Sequence, residues 1–178
     1  MILPGILASG ISGHLFSSNY VSLQTVTVGS GGASSVIFSS IPQTYTHLQI
    51  RALTLGTVAG NAGKIHFNSD TTDSHYWNHY VYGSGSSASS AAYNQPYLPE
   101  FMGSGATTSP GASIIDILDY TNTNKNKTIR EIGGYDANGS GYITLSSVLW
   151  LNTSAITTIE IDLSSFQQYS QFALYGVK

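Results

Sequence analysis

Apolar and polar residues alternate with a period of two along most of this chain, in short runs broken by Gly, Ser, Asn and Asp. Runs at 21–28, 34–38, 47–53, 64–67, 76–82, 113–120, 128–132, 142–151, 156–163 and 171–177 place β-branched or aromatic residues at alternate positions, the pattern of about ten strands. Between His47 and Leu53, the apolar Leu48, Ile50 and Ala52 alternate with Gln49 and Arg51, so one face is dry and the other wet. Ile159, Ile161 and Leu163 alternate in the same way with Glu160 and Asp162. The run 142–151 is apolar on both sides, with Ile143, Leu145, Leu149 and Leu151 on one and Val148 and Trp150 on the other. That strand is expected to be central, or buried at an interface.

Turn-forming residues fill the gaps at 29–32, 56–63, 83–90, 103–111, 122–127 and 136–141. No segment of helical length shows a 3.6-residue period. Many short antiparallel strands without helices mean a two-sheet sandwich, a jelly roll or a barrel. The expected fold is all-β, a jelly-roll-like antiparallel sandwich over residues 21–178. Residues 1–20 form a separate apolar arm built on Ile2, Leu3, Pro4, Ile6, Leu7, Ile11, Leu15 and Phe16. The arm has no Lys or Arg ahead of its apolar stretch and is interrupted by Pro4-Gly5, unlike a secretory leader. An arm of this kind is ordered only when docked.

Charge changes the picture of partners. Charged residues make up 8% of the 178 residues, against ~25% in ordinary soluble domains, so hydroxyls and amides do most of the solvating. Six Lys and Arg against nine Asp and Glu leave a net charge of −3, and cations gather only at Lys125, Lys127 and Arg130. Phosphate backbones are gripped by several cations on one face, so nucleic acid is not an expected partner. Weak charge also means little self-repulsion, which favours association with copies or neighbours. The chain has no cysteine, which removes disulfides, thiolate metal sites and thiol nucleophiles. No stretch reaches the ~18–20 unbroken apolar residues of a membrane-spanning helix.

Candidate chemistry concentrates in the strip 65–82, where His66, His75 and His79 stand among Asp70, Asp73 and several aromatic residues. On a strand His75 and His79 lie on one face but ~13 Å apart, too far for one metal ion. Asp136, Asn138, Ser140 and Gly141 mimic the opening of a calcium loop. The twelfth position is Ser147 instead of Glu, so a hairpin turn explains the segment better. Asp116 and Asp119, three apart on a strand, point to opposite faces and cannot flank one glycosidic bond. The motif G-x-S-x-G is absent. Neither a catalytic residue, a metal ligand nor a cofactor site is assigned. Aromatic side chains give contact surfaces large area at small entropic cost. Tyr76, Trp77, His79, Tyr80, Tyr82, Tyr93 and Tyr97 are therefore the candidate contact surface, facing sugar rings or another protein. Ordinary cross-strand packing is the competing explanation.

Several strings carry a resemblance: MILPGILASGISGHL at the start, IPQTYTHLQIRAL, SIIDILDYTNTNKNKTIREIGGYDANGSG, LWLNTSAITTIEI and the closing QYSQFALYGVK. Together they resemble a group of small virion proteins of tailed bacteriophages, over nearly the whole chain. The resemblance implies a structural component on the outer surface of a virus particle, with the N-terminal arm inserted into another virion protein. It transfers no catalytic motif. A tail-fibre, tail-tip or other adhesion subunit is the leading expectation, presenting the sandwich for host-surface or protein contacts, with host-surface glycan and other virion proteins as candidate partners. A capsid decoration protein is the alternative, and a glycan-cleaving sandwich lacks the paired carboxylates it needs. Viral fibres and decorations are often trimeric, so a homotrimer is expected, although no heptads are present to encode one.

Overall fold

The computed structural model describes residues 19–56, 63–98 and 109–178. The arm residues Ile2, Leu3, Pro4, Ile6, Leu7, Ile11, Leu15 and Phe16 lie outside them. The alternating runs form β1 (Tyr20–Thr27), β2 (Ala33–Phe38), β3 (His47–Thr54), β4 (Gly63–Phe67), β5 (Tyr76–Gly83), β6 (Ala88–Tyr93), β7 (Tyr97–Leu98), β8 (Gly111–Leu118), β9 (Lys127–Asp136), β10 (Gly141–Trp150), β11 (Ile159–Phe166) and β12 (Gln171–Val177). A short 3-10 turn, Asp73–His75, leads into β5.

Pairing is nested and antiparallel. β1 pairs with β12, β2 with β11, β3 with β8 and β4 with β7. Further pairing of β12 with β3 and β11 with β4 joins these into two four-stranded sheets, β1-β12-β3-β8 and β2-β11-β4-β7. A long hairpin rolled up in this order is a jelly roll, so the expected architecture is the one that forms. Two inserted hairpins, β5–β6 and β9–β10, widen only one sheet, giving the order β1-β12-β3-β8-β9-β10-β5-β6.

Alternation decides which residues enter the space between the sheets. From the larger sheet come Leu48, Ile50, Ile115, Ile117, Ile129, Val148, Trp150, Phe172 and Leu174. Val36, Phe38, Ile65, Phe67, Ile159, Ile161 and Leu163 meet them from the smaller one. Each fully buried aliphatic or aromatic side chain contributes roughly 1.5–3 kcal/mol. The C-terminal strand needs a bare backbone at Gly176, where a Cβ would sit 2.4 Å from the Tyr45 ring.

Two polar devices tie the seam and one end. Asp70, just after β4, accepts from Trp150 Nε1 at 2.9 Å and is bonded to His75 Nδ1 at 2.8 Å, so it links the smaller sheet to β10. Burial works to raise the Asp70 carboxyl, but the hydrogen bonds from Trp150, His75 and Thr72 outweigh it and hold it below its ordinary range. Lys127 is fully buried, and its ammonium donates to the carbonyls of Asn122, Lys125 and Thr153 at 2.6, 3.1 and 2.9 Å. Three donors meet three acceptors, so the charge is solvated by backbone.

The segment 136–141 is the hairpin turn joining β9 to β10. Asn138 and Gly139 both have positive φ, 54° and 107°, and Ala137 N donates to Ser140 O at 2.7 Å, the geometry that Asn-Gly favours. β6 and β7 were not expected. β6 reads ASSAAY, and small residues carry little strand signal. The strand expected at 142–151 is interior to its sheet, between β9 and β5, and within the chain only one of its two faces is covered. Val148 and Trp150 are buried, but Ile143 and Leu145 face solvent, because the second sheet covers only one side of β10.

Candidate contact surfaces

β5 splits the aromatic strip between two faces. Tyr76, Asn78, Tyr80 and Tyr82 point to the inner side, and Trp77, His79 and Val81 to the outer one. Tyr76 is fully buried. Its hydroxyl donates to Asp70 O at 2.8 Å and accepts from Phe67 N at 3.1 Å, and burial pushes the phenol well above its usual range. It is therefore a core residue and forms no part of an exposed surface. Its ring stacks on Trp150, with centroids 6.4 Å apart.

On the inner side of the widened half, tyrosines form an unbroken chain. Tyr135 meets Tyr142 at 5.8 Å between centroids, Tyr142 meets Tyr82 at 5.9 Å, and Tyr82 meets Tyr80 at 5.9 Å. Tyr80 continues to Tyr93 at 6.1 Å and Tyr93 to Tyr97 at 5.6 Å. All these spacings fall in the range where aromatic pairs attract. Tyr93 is exposed, whereas the rest are half-buried. Asn78 lies beside the chain, donating through Nδ2 to Tyr97 O at 2.8 Å. Its Oδ1 is buried and has no partner among the described residues. The structure thus brings Tyr80, Tyr82, Tyr93 and Tyr97 together and adds Tyr135 and Tyr142. The signal for these two was present: they flank the Asn138-Gly139 turn and pair directly across it.

Trp77 and His79 belong to the other surface, the outward face of the eight-stranded sheet. Cross-strand register arranges this face in rows. One row runs Val81, Leu145, Ile132, Ile114, Arg51, Ala173. The next runs Gly83, Ile143, Gly134, Ala112, Leu53, Gln171. On the opposite side of the first row lies a polar one of His79, Ser147, Arg130, Asp116, Gln49 and Tyr175. Leu53, Val81, Ile114, Ile132, Ile143 and Leu145 are all exposed. Between Leu53, Ile114, Ile132 and Ile143 lies a shallow depression of about 690 Å³, floored in part by Gly134. In the polar row Gln49 Nε2 donates to Asp116 Oδ1, and Arg51 Nε donates to Gln49 Oε1, both at 2.8 Å. Arg51 also sits over the rings of Tyr20 and Tyr175, 5.2 and 4.9 Å from their centroids.

Directly behind Ile132, Glu131 is buried in the interior. Burial pushes its carboxyl up to about 8, although hydrogen bonds from Ser146 Oγ (3.0 Å) and Ser113 Oγ (3.2 Å) work against the rise. At pH 7 it is mainly a neutral acid, held by two serines, with no second carboxylate beside it among the described residues. Elsewhere, Asp116 lies on the outer face, while Asp119 closes a turn by bonding Lys125, so the two acids do not converge. His75 is engaged by Asp70 and His79 lies on the outer face. Among the described residues no group of three or more His, Cys, Asp or Glu side chains is gathered as metal ligands would be.

No protein-family model matches the chain, and no curated protein matches it. Among solved structures, a protein of unknown function from Shewanella oneidensis MR-1 aligns over 90% of this chain and 76% of its own length. The identity is 10% and the TM-score 0.20, a likeness too slight to carry an argument.

Proposed function

We propose that this chain is a non-enzymatic structural protein of a tailed-bacteriophage particle, acting by contact as an adhesion subunit of the tail. In this reading residues 1–16 attach it to another virion protein, and the sandwich is displayed toward the host surface. The observation that carries the contact part is the tyrosine chain from Tyr135 to Tyr97, a run of flat amphipathic rings that includes the exposed Tyr93. Rings of this kind suit sugar faces and protein surfaces alike. The virion part rests on the resemblance of the two ends and the 113–141 region. A jelly roll is shared by viral and lectin domains, but fold alone does not assign function.

Mass spectrometry of purified particles tests the reading. The protein should be present, in a number that matches tail appendages. A number matching the capsomers of the shell would favour capsid decoration instead, and absence from particles would overturn both. Deleting residues 1–16 should leave the sandwich folded, because β1 begins at Tyr20, yet abolish incorporation. On host cells or glycan arrays, the isolated protein should bind, and Tyr93→Ala should weaken that binding.

A further inference from the structure

We infer that the outward face of the eight-stranded sheet is an interface between two copies of this chain, related by a twofold axis along the strands between β8 and β9. The inference goes beyond the contact reading above and rests on different residues, on the opposite face of the sheet. Six strands from β12 to β5 at ~4.8 Å and three outward rows at ~6.7 Å outline about 600 Å² per copy. The total, about 1,200 Å², lies at the lower edge of specific interfaces. The two apolar rows make up about 400 Å² of that area, within the range of exposed apolar patches that often mark interaction sites on monomers.

Charge selects a second copy as the occupant. Arg130 makes no ion pair or hydrogen bond among the described residues, although its cross-strand neighbour is Asp116. Among the described residues Asp116 in turn is bound only by Gln49, through Oδ1. A twofold along the strands keeps each row level with itself and exchanges β8 with β9, β3 with β10 and β12 with β5. Asp116 then faces the partner's Arg130, and the contact occurs twice. In the same superposition Ile114 meets the partner's Ile132, and Leu53 meets the partner's Ile143. Aliphatic side chains therefore cover aliphatic side chains over most of the two rows, Arg51 meets the partner's Leu145 while its guanidinium lies over Tyr20 and Tyr175, and Arg130 finds an anion. Two such sheets pack ~10 Å apart with their strands aligned to within ~30°.

The experiment is sedimentation of the full chain from ~1 to ~100 µM, spanning the affinities expected of a small interface. A dimer should form. Asp116→Arg and Arg130→Asp should each weaken it by tenfold or more, and the double exchange should restore it. Because the chain has no native cysteine, a second arm fixes the axis. Leu53 and Ile143 lie three strands apart, ~14 Å, too far for a disulfide within one chain. Mixing Leu53→Cys with Ile143→Cys protein under oxidation should cross-link the two variants, while neither should cross-link to itself. A monomer throughout, a trimer, or a dimer indifferent to both charge reversals would overturn the inference. Particle composition, which tests the virion reading, is read out separately from all of these.

Discussion

The two sheets of this sandwich turn opposite kinds of surface to the solvent. On the smaller sheet, Asp162 stands across from Lys64 and Glu160 lies between Ile37 and His66. Lys64 also reaches Asp73 at 3.4 Å. A single large aliphatic side chain, Ile37, is exposed there. On the larger sheet six such side chains are exposed in two adjoining rows, which hold a single charged residue, Arg51, while Arg130 and Asp116 lie in the neighbouring row. A low overall charge could by itself leave a protein with an apolar exterior. Here the few charges are unevenly placed, and the aliphatic residues concentrate on the sheet that the inserted hairpins widened. The difference teaches that this surface belongs to a particular face and is not a by-product of composition.

The harshest way to break the comparison is from the interior that both sheets share. Trp150→Ala removes a fully buried ring and the donor that Asp70 holds, so it should cost roughly 3–5 kcal/mol and lower Tm sharply. Both outward faces should be lost together in that melt. Separate melting of the two sheets, seen by hydrogen exchange, would show that they are not one cooperative unit.

A sharper test exploits Glu131, which lies behind the aliphatic rows. Its carboxyl is raised from 4.5 to about 8 in the folded protein, so the folded state holds a proton that the unfolded chain releases. The stabilisation is complete below pH 4.5, declines as pH rises from there to about 8, and is absent above it. Denaturant titrations should show the native protein weakening over that window by a few kcal/mol, whereas Glu131→Gln, which keeps a partner for both serines, should hardly change. Parallel pH profiles would mean that the buried acid is not neutral.

The smallest effect is expected at the edge of the aliphatic face. Arg51→Ala removes a guanidinium lying over Tyr20 and Tyr175, and should cost about 0.5–1 kcal/mol in thermal melts. A loss of several kcal/mol would show that Arg51 anchors β1 more firmly than ring contacts allow.

Much of the fold is legible in the sequence because alternation reports directly on burial. Leu48 and Ile50, or Ile159 and Ile161, enter the core as their period requires. The ASSAAY strand is not legible, since its small side chains gain little from any particular face. The candidate surface is legible only in part. Period two separates Trp77 and His79 from Tyr80 and Tyr82, yet which side is covered depends on how far the second sheet reaches. Tyr76 shows the consequence: an aromatic residue inside the strip is core because its hydroxyl finds Asp70 and Phe67. Ile143 and Leu145 show the reverse, with an apolar signature of burial on residues that the chain itself leaves uncovered. Nested pairing joins residues more than a hundred positions apart, which no local pattern encodes.

Ile132 and Ile37 offer the most direct measurement, because the two are 50% and 52% exposed on the two different sheets. Each is to be changed to Glu, and the sedimentation of both variants followed over one concentration series beside the unaltered protein. The account predicts that Ile132→Glu stays monomeric while Ile37→Glu associates as the unaltered chain does. Equal behaviour of the two variants would contradict it.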